Sequence, residues 1–265
     1  MHNLVEAIVI GVLQGITEWV PISSEGVITV ILSSIFGKTP GQALAFGLWL
    51  HLGTAFAGLV YFRHHIIEIF KKTVVSGIHP LLLFLIISTV ISGMIALTIV
   101  QFIELIITHS IVGVLISVLV GIMMIITGLV QYTRKRSDVR RLMNEMNWLH
   151  AVLVGVLQGF SVIPGISRSG ITSAMLIRLG LSPENALRVS FLMGIPAGLM
   201  ASSYELYIGN ISFDKGSIVS LIFAFIVGVL SIKVLLKIAE VINFGVFVIA
   251  FGLLVILGSV VIMIV

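Results

Sequence analysis

Gly11-Val12-Leu13-Gln14-Gly15-Ile16-Thr17-Glu18-Trp19-Val20-Pro21-Ile22-Ser23-Ser24-Glu25-Gly26 opens as an apolar helix and is then cut by proline, serine and glycine. It has a counterpart later in the chain. Gly11 to Gly15 recurs as Gly155-Val156-Leu157-Gln158-Gly159, Thr17 corresponds to Ser161, and a proline follows in each copy (Pro21, Pro164). Ile22-Ser23-Ser24-Glu25-Gly26 then matches Ile166-Ser167-Arg168-Ser169-Gly170. Proline lacks the N–H a helix needs and disfavours helix at the residue before it, so both copies must break. The resulting pieces, 4–21 with 27–36 and 149–163 with 171–181, are each too short for about 30 Å of hydrocarbon, which takes roughly 20 residues. Each pair therefore reads as a re-entrant helix pair that enters the membrane, breaks and returns.

Around these two breaks lie six apolar runs long enough to cross: 42–62, 81–103, 111–132, 185–207, 217–236 and 242–265. The 265 residues are 58% hydrophobic and 10% charged, which does not describe a soluble surface. The expected fold is an all-α polytopic membrane protein with six transmembrane helices and two re-entrant helix pairs. Three full spans separate the copies, and an odd number reverses direction, so the halves should be two inverted-topology repeats related by an axis in the membrane plane. A single membrane domain results, with repeat 1 over 1–132, a cytoplasmic loop over 133–148 and repeat 2 over 149–265.

The basic residues set the orientation, because cytoplasmic loops are rich in Lys and Arg. Arg63, Lys71, Lys72, Arg178, Arg188 and the basic stretch at 134–141 fall on one side with Lys233 and Lys237, while the other side receives Lys38 and Lys215. The first side is cytoplasmic, which leaves both termini outside a multi-pass plasma-membrane protein. Glu6 interrupts any cleavable-signal pattern. The chain has no cysteine, which excludes disulfides, a zinc ribbon, an iron–sulfur cluster and a thiol nucleophile. A net charge of +4 on so apolar a chain does not point to nucleic acid.

Ionisable groups at membrane depth are costly and mark function by default. Gln14 and Glu18 are four apart and share a helical face, and Ser23, Ser24 and Glu25 follow the break. The second copy keeps Gln158 but has Val162 where Glu18 stands, and carries Ser167, Arg168, Ser169 and Thr172 beyond Gly165. One copy thus supplies carboxylates, the other a guanidinium. That pairing suits an anionic phosphorus centre. Each returning half-helix, starting just after the Ser/Gly turn that ends at Gly26 or Gly170, turns its N–H groups and positive dipole end inward, and Arg168 offers a planar fork for phosphate oxygens. Ser24 or Ser23 can attack phosphorus with Glu18 taking the proton, or Glu18 can activate water. Glu18 and Glu25 can also hold Mg²⁺ or Ca²⁺ through oxygen. The plainer readings stand beside these: Glu18 and Arg168 as a structural ion pair, the serines as helix caps, the glutamines as partners for freed backbone groups. His51, in Leu50-His51-Leu52-Gly53-Thr54, is either a helix-packing residue or part of the site. Apolar walls imply a lipid-tailed substrate.

These residues resemble the undecaprenyl-diphosphatase family, the integral-membrane proteins associated with bacitracin resistance. Pro164-Gly165-Ile166-Ser167-Arg168-Ser169-Gly170-Ile171-Thr172 fits that family's PGxSRSxxT motif in full. Gln14-Gly15-Ile16-Thr17-Glu18 fits its (E/Q)xxxE motif, followed as in the family by Pro21-Ile22-Ser23-Ser24. The likeness runs nearly end to end, including Leu50 to Thr54 and Ser190-Phe191-Leu192 before Pro196. It implies hydrolysis of a polyprenyl diphosphate to the monophosphate and phosphate, recycling the lipid carrier of cell-envelope glycan synthesis, with a divalent cation required. By position, Glu18 and Gln14 would take acid/base or metal-binding roles, Ser24 the nucleophile's, and Arg168 that of phosphate clamp. Gly165, Ser167, Ser169 and Thr172 would line the second loop, and the protein would work alone or as a homodimer. The chain departs from the family's SSxGH at Val27, where the histidine stands; Glu25 and His51 are the candidates to compensate. The reading from another class is a lipid flippase, since inverted repeats with broken helices are also transporter architecture.

Overall fold

In the computed structural model, residues 4–107, 113–133, 142–163, 165–209, 214–238 and 244–264 are described. Pro164 and the basic stretch at 134–141, expected to set the topology, lie outside them. The described residues form ten α-helices and one 3₁₀ turn: α1 (Leu4–Thr17), α2 (Ser24–Ser34), α3 (Pro40–Ser76), α4 (Pro80–Ile107), α5 (Gly113–Tyr132), α6 (Trp148–Phe160), α7 (Arg168–Arg178), α8 (Pro183–Tyr207), α9 (Lys215–Ile238) and α10 (Phe244–Ile264). The order of lengths recurs at the expected breaks. The helices before them have 14 and 13 residues (α1, α6) and those after them 11 each (α2, α7).

Local chemistry explains these boundaries. In α1 the Thr17 hydroxyl donates to the Leu13 carbonyl at 2.8 Å, and the chain then turns ahead of Pro21. Ser23 restarts it: its Oγ accepts the Gly26 N–H at 3.1 Å and so caps α2. Ser167 repeats the device on the Gly170 N–H, also at 3.1 Å, so both helices begin at the serines, a few residues earlier than the apolar pattern suggests. Thr39-Pro40 and Ser182-Pro183 supply the caps and first-turn prolines of α3 and α8.

Among the described residues, four helices are long and apolar enough to cross a membrane, over Pro40–Ser76, Pro80–Gln101, Pro183–Tyr207 and Lys215–Ile238. The remaining two expected spans coincide with α5 and α10, of 20 and 21 residues. α3 runs well past the expected end at 62, because Arg63, Glu68, Lys71 and Lys72 continue the helix as a charged extension with a Glu68–Lys72 pair at 2.7 Å. Such a one-turn pair suits an exposed helix and is worth only tenths of a kcal/mol. On α9, Ile218, Ile222, Ile226, Leu230 and Val234 are exposed at four-residue intervals, and on α4 so are Ile86, Val90 and Met94. An outward apolar stripe beside a polar interior is the arrangement a bilayer selects.

α1 packs on α9, α6 on α4, α3 on α8, and α5 on α10. Small residues make the close contacts, as is usual in membranes. A Cβ added at Gly155 would lie 2.8 Å from the Ser88 carbonyl oxygen of α4, and one at the matching Gly11 would strike the Ser220 carbonyl of α9. Gly155→Val should therefore lower the midpoint of thermal unfolding in detergent by the equivalent of about 1–3 kcal/mol, the usual cost of overpacking; an unchanged midpoint would show that α4 and α6 can move apart freely.

Candidate active site

Glu18 lies just beyond the end of α1, and four helices, α1, α2, α3 and α7, bring groups toward it. Its Oε1 accepts from Arg168 Nη2 at 2.5 Å. Its Oε2 accepts from Gln14 Nε2 at 3.0 Å and from Ser24 Oγ at 2.8 Å, and His51 Nε2 lies 3.0 Å away. All these residues are buried. Gln14 reaches Glu18 because four residues make one helical turn. Ser24 reaches it because the Pro21 break folds α2 back against the end of α1.

Glu25 stands beside this carboxylate. Its Oε1 is 3.2 Å from His51 Nε2, and its Oε2 accepts from Ser23 at 3.3 Å and more weakly from Ser24 at 3.4 Å. His51 is aimed from α3 by a 2.9 Å contact between Nδ1 and the Gly47 carbonyl one turn earlier. It belongs to the site rather than to helix packing alone.

The second break contributes Arg168, whose Nη1 donates to the Ser190 carbonyl at 3.0 Å. Thr172 donates to the Arg168 carbonyl at 2.7 Å and is itself 2.7 Å from Ser190 Oγ. Gly194, one turn beyond Ser190 on α8, is what leaves room for the guanidinium: a Cβ there would fall on it. Ser190 and Gly194 carry no charge and were not expected as site residues. Their signal was a serine and a glycine in an otherwise apolar span, which many packing positions also show.

The two turns are tied directly. Ser23 Oγ accepts the Gly165 N–H at 2.9 Å as well as that of Gly26, and Ser169 Oγ donates to the Val20 carbonyl at 3.3 Å. Gly26 lets the turns approach, since a Cβ there would sit 3.1 Å from the Gly165 nitrogen. Gly165 adopts φ of 97°, where a side chain would be strained. Ser167 lies 3.4 Å from Ser169. Ser23, Ser167 and Ser169 thus cap and join, while Ser24 is the hydroxyl beside a carboxylate. Gln158, matching Gln14 in the second copy, donates to Ser92 Oγ at 2.9 Å and does not join Glu18.

A cavity of about 500 Å³ adjoins these groups, with Glu25, His51 and Arg168 in its wall and Glu18 and Ser24 behind them. Leu97, Val100 and Met200 make it largely apolar, and Tyr204 and Tyr207 line it further along α8. At 1.5 Å per residue, Tyr207 is about 20 Å from Gly194. The tyrosines end α8 opposite its Arg188 end, the side expected to face the cytoplasm.

Buried carboxylates facing a guanidinium beside a largely apolar cavity, among helices long and apolar enough to cross a membrane, define the class: an integral-membrane protein with a charged site inside it. The chain belongs to the family described as Bacitracin resistance protein BacA, which matches residues 7–258. It is 37% identical to a protein of Methanococcoides burtonii (strain DSM 6242) named undecaprenyl-diphosphatase, over 96% of this chain and 97% of that one. Proteins of the same name from Saccharolobus solfataricus (strain P2) and Haloarcula marismortui (strain ATCC 43049) are each 32% identical over 98% of this chain, with 97% and 98% of their own lengths covered.

Proposed function

We propose that this chain is a membrane phosphatase that hydrolyses undecaprenyl diphosphate, or a close polyprenyl relative, to the monophosphate and inorganic phosphate. The carrier recycling and bacitracin resistance associated with its family would follow from that activity. The observation that carries the reading is Ser24 Oγ at 2.8 Å from one oxygen of Glu18 while Arg168 holds the other. A binding protein needs the guanidinium, but not a hydroxyl poised on a base. The comparisons lend no support to a lipid flippase.

The sequence of events follows from those contacts. The diphosphate enters where Arg168 meets the cavity and draws the guanidinium from Glu18, since a phosphate offers the fork more oxygens. Glu18, relieved of that positive partner, becomes the better base for Ser24. The Ser24 oxygen then bonds to the terminal phosphorus, the bridging P–O bond breaks, and the lipid monophosphate leaves with its electron pair. Water releases the phosphoryl group from Ser24 in a second step.

The carboxylate and hydroxyl donors suit a hard divalent cation. Glu18 already meets four polar groups, whereas Glu25 lies on the cavity wall. We therefore place Mg²⁺ or Ca²⁺ at Glu25, with Glu18 as second carboxylate and the diphosphate supplying further oxygens. Bound there, the ion would neutralise charge on the diphosphate. The similar lengths of the helices flanking the two breaks and the pairing of α1 with α9 and α6 with α4 support two inverted repeats built on re-entrant pairs. The extension of the cavity's lining to Tyr204 and Tyr207, at the end of α8 away from Arg188, supports access from the outer leaflet, with both termini on that side.

Phosphate release from a polyprenyl diphosphate by detergent-purified protein, with chelator and with added Mg²⁺ or Ca²⁺, tests this. Release that needs the cation is expected; a folded protein that binds the lipid and releases no phosphate would refute it.

A further inference from the structure

A cavity of about 500 Å³ has the volume of a site for one small molecule. It encloses a diphosphate and the start of a prenyl chain, and the rest of a polyprenyl chain must lie outside it. Such a chain avoids water, so the cavity wall has to open onto hydrocarbon.

Residues that border the cavity and the outside together show where. Leu97 of α4 and Met200 of α8 line the cavity and are also 48% and 41% exposed, both within spans long and apolar enough to cross a membrane. Tyr207, at the end of α8, lines it too and is exposed, whereas Val100 on the same wall is buried. α4 lies beside α8, and the two touch across Gly93, where an added Cβ would be 3.3 Å from Met200 Sδ and 3.4 Å from its Cε. That contact closes one end of the rim. From Met200 to Tyr207 α8 rises about 10 Å, so the opening is a slot about that long between two neighbouring helices. Leu97, Met200 and Tyr207 carry no charge. Methionine has three rotatable bonds and a soft thioether, which suits a lip that yields to a chain of irregular shape.

We propose that the cavity opens sideways into the bilayer between α4 and α8, through a mouth framed by Leu97 and Met200, and that this mouth selects a lipid diphosphate with one prenyl chain over a glycerolipid diphosphate with two acyl chains. This rests on the phosphatase reading. Met200 is about 9 Å along α8 from Gly194, where the guanidinium lies. The head group and first prenyl unit fill that distance, and the remaining chain passes the mouth. Two acyl chains on one glycerol would need the slot at once, and the Gly93–Met200 contact leaves room for one. Leu97 and Met200 are specificity-determining residues, touching the chain and not the reacting atoms.

The chain has no cysteine, so Met200→Cys gives a single thiol at the mouth. The test is turnover by purified Met200→Cys before labelling with a bulky methanethiosulfonate, after it, and again after a reductant removes the label. The substrates are a polyprenyl diphosphate and dimethylallyl diphosphate, whose single prenyl unit stays inside the cavity. Labelling should lower kcat/KM for the polyprenyl substrate by about tenfold or more, the scale of a misfit in an apolar pocket, and for dimethylallyl diphosphate by less than about twofold. Reductant should restore the lost rate, which excludes misfolding as its cause. Wild type should also prefer the polyprenyl substrate to diacylglycerol diphosphate by about tenfold or more, and Leu97→Ala with Met200→Ala should narrow that ratio. Equal losses for both prenyl diphosphates, or no loss on complete labelling, would place the chain's exit elsewhere. A wild type indifferent to chain number, or a double variant with the wild-type ratio, overturns the selection. In each of these cases phosphate is still released and the phosphatase reading stands. A wild type that binds the polyprenyl diphosphate and releases no phosphate overturns that reading, and the proposal with it.

Discussion

Arg168→Ala is expected to lower phosphate release by about 10³-fold or more, the scale on which a single guanidinium stabilises phosphoryl transfer. The residue has two tasks: it is Glu18's partner in the resting site and the phosphate's partner once substrate arrives. Arg168→Lys should lose most of the activity as well, because an ammonium cannot bridge Ser190 O and Glu18 Oε1 as the fork does. The alanine change also strands a buried carboxylate, and breaking such a pair costs about 3–5 kcal/mol. Adding Glu18→Gln to Arg168→Ala should recover part of that stability and none of the rate. Steady-state assays with thermal unfolding of the single and double variants check both expectations. A lysine variant with full activity would mean that Arg168 acts as a point charge.

Glu18→Gln is expected to reduce kcat by about 10²–10⁴-fold, the range for losing a general base. Its amide keeps the volume and can still accept from Ser24 or Arg168, so the fold should be disturbed less than by Arg168→Ala. It cannot take the Ser24 proton. A quench that traps phosphate covalently on the protein should yield labelled Ser24 in the wild type and almost none in Glu18→Gln. Wild-type turnover by this variant would move the base elsewhere, with Glu25 the nearest alternative.

What could be read beforehand was whatever stood out against apolar surroundings. Glu18, Glu25 and Arg168 announced themselves as charges in an apolar chain, and Pro21 with Pro164 announced the breaks, because a missing N–H is a local property. The extent of α3 was less legible, since the charges between Arg63 and Lys72 interrupt the apolar run, while Ile69, buried in the core, continues the packing. His51 was ambiguous for another reason: one histidine in a span says nothing of what faces it. Only the packing of α3 beside the first break brings its Nε2 to two carboxylates. Ser190 and Gly194 were less visible still, since their contribution is a backbone carbonyl and an empty volume.

The hydrogen bonds that join the two turns, Ser23 to Gly165 and Ser169 to Val20, act as a bolt through the middle of the molecule. Proteins that pass a cargo from face to face part their halves at that level; here parting would leave the Gly165 N–H and the Val20 carbonyl unpaired where no water replaces them. A head group that settles at one turn therefore meets groups already fastened to the other.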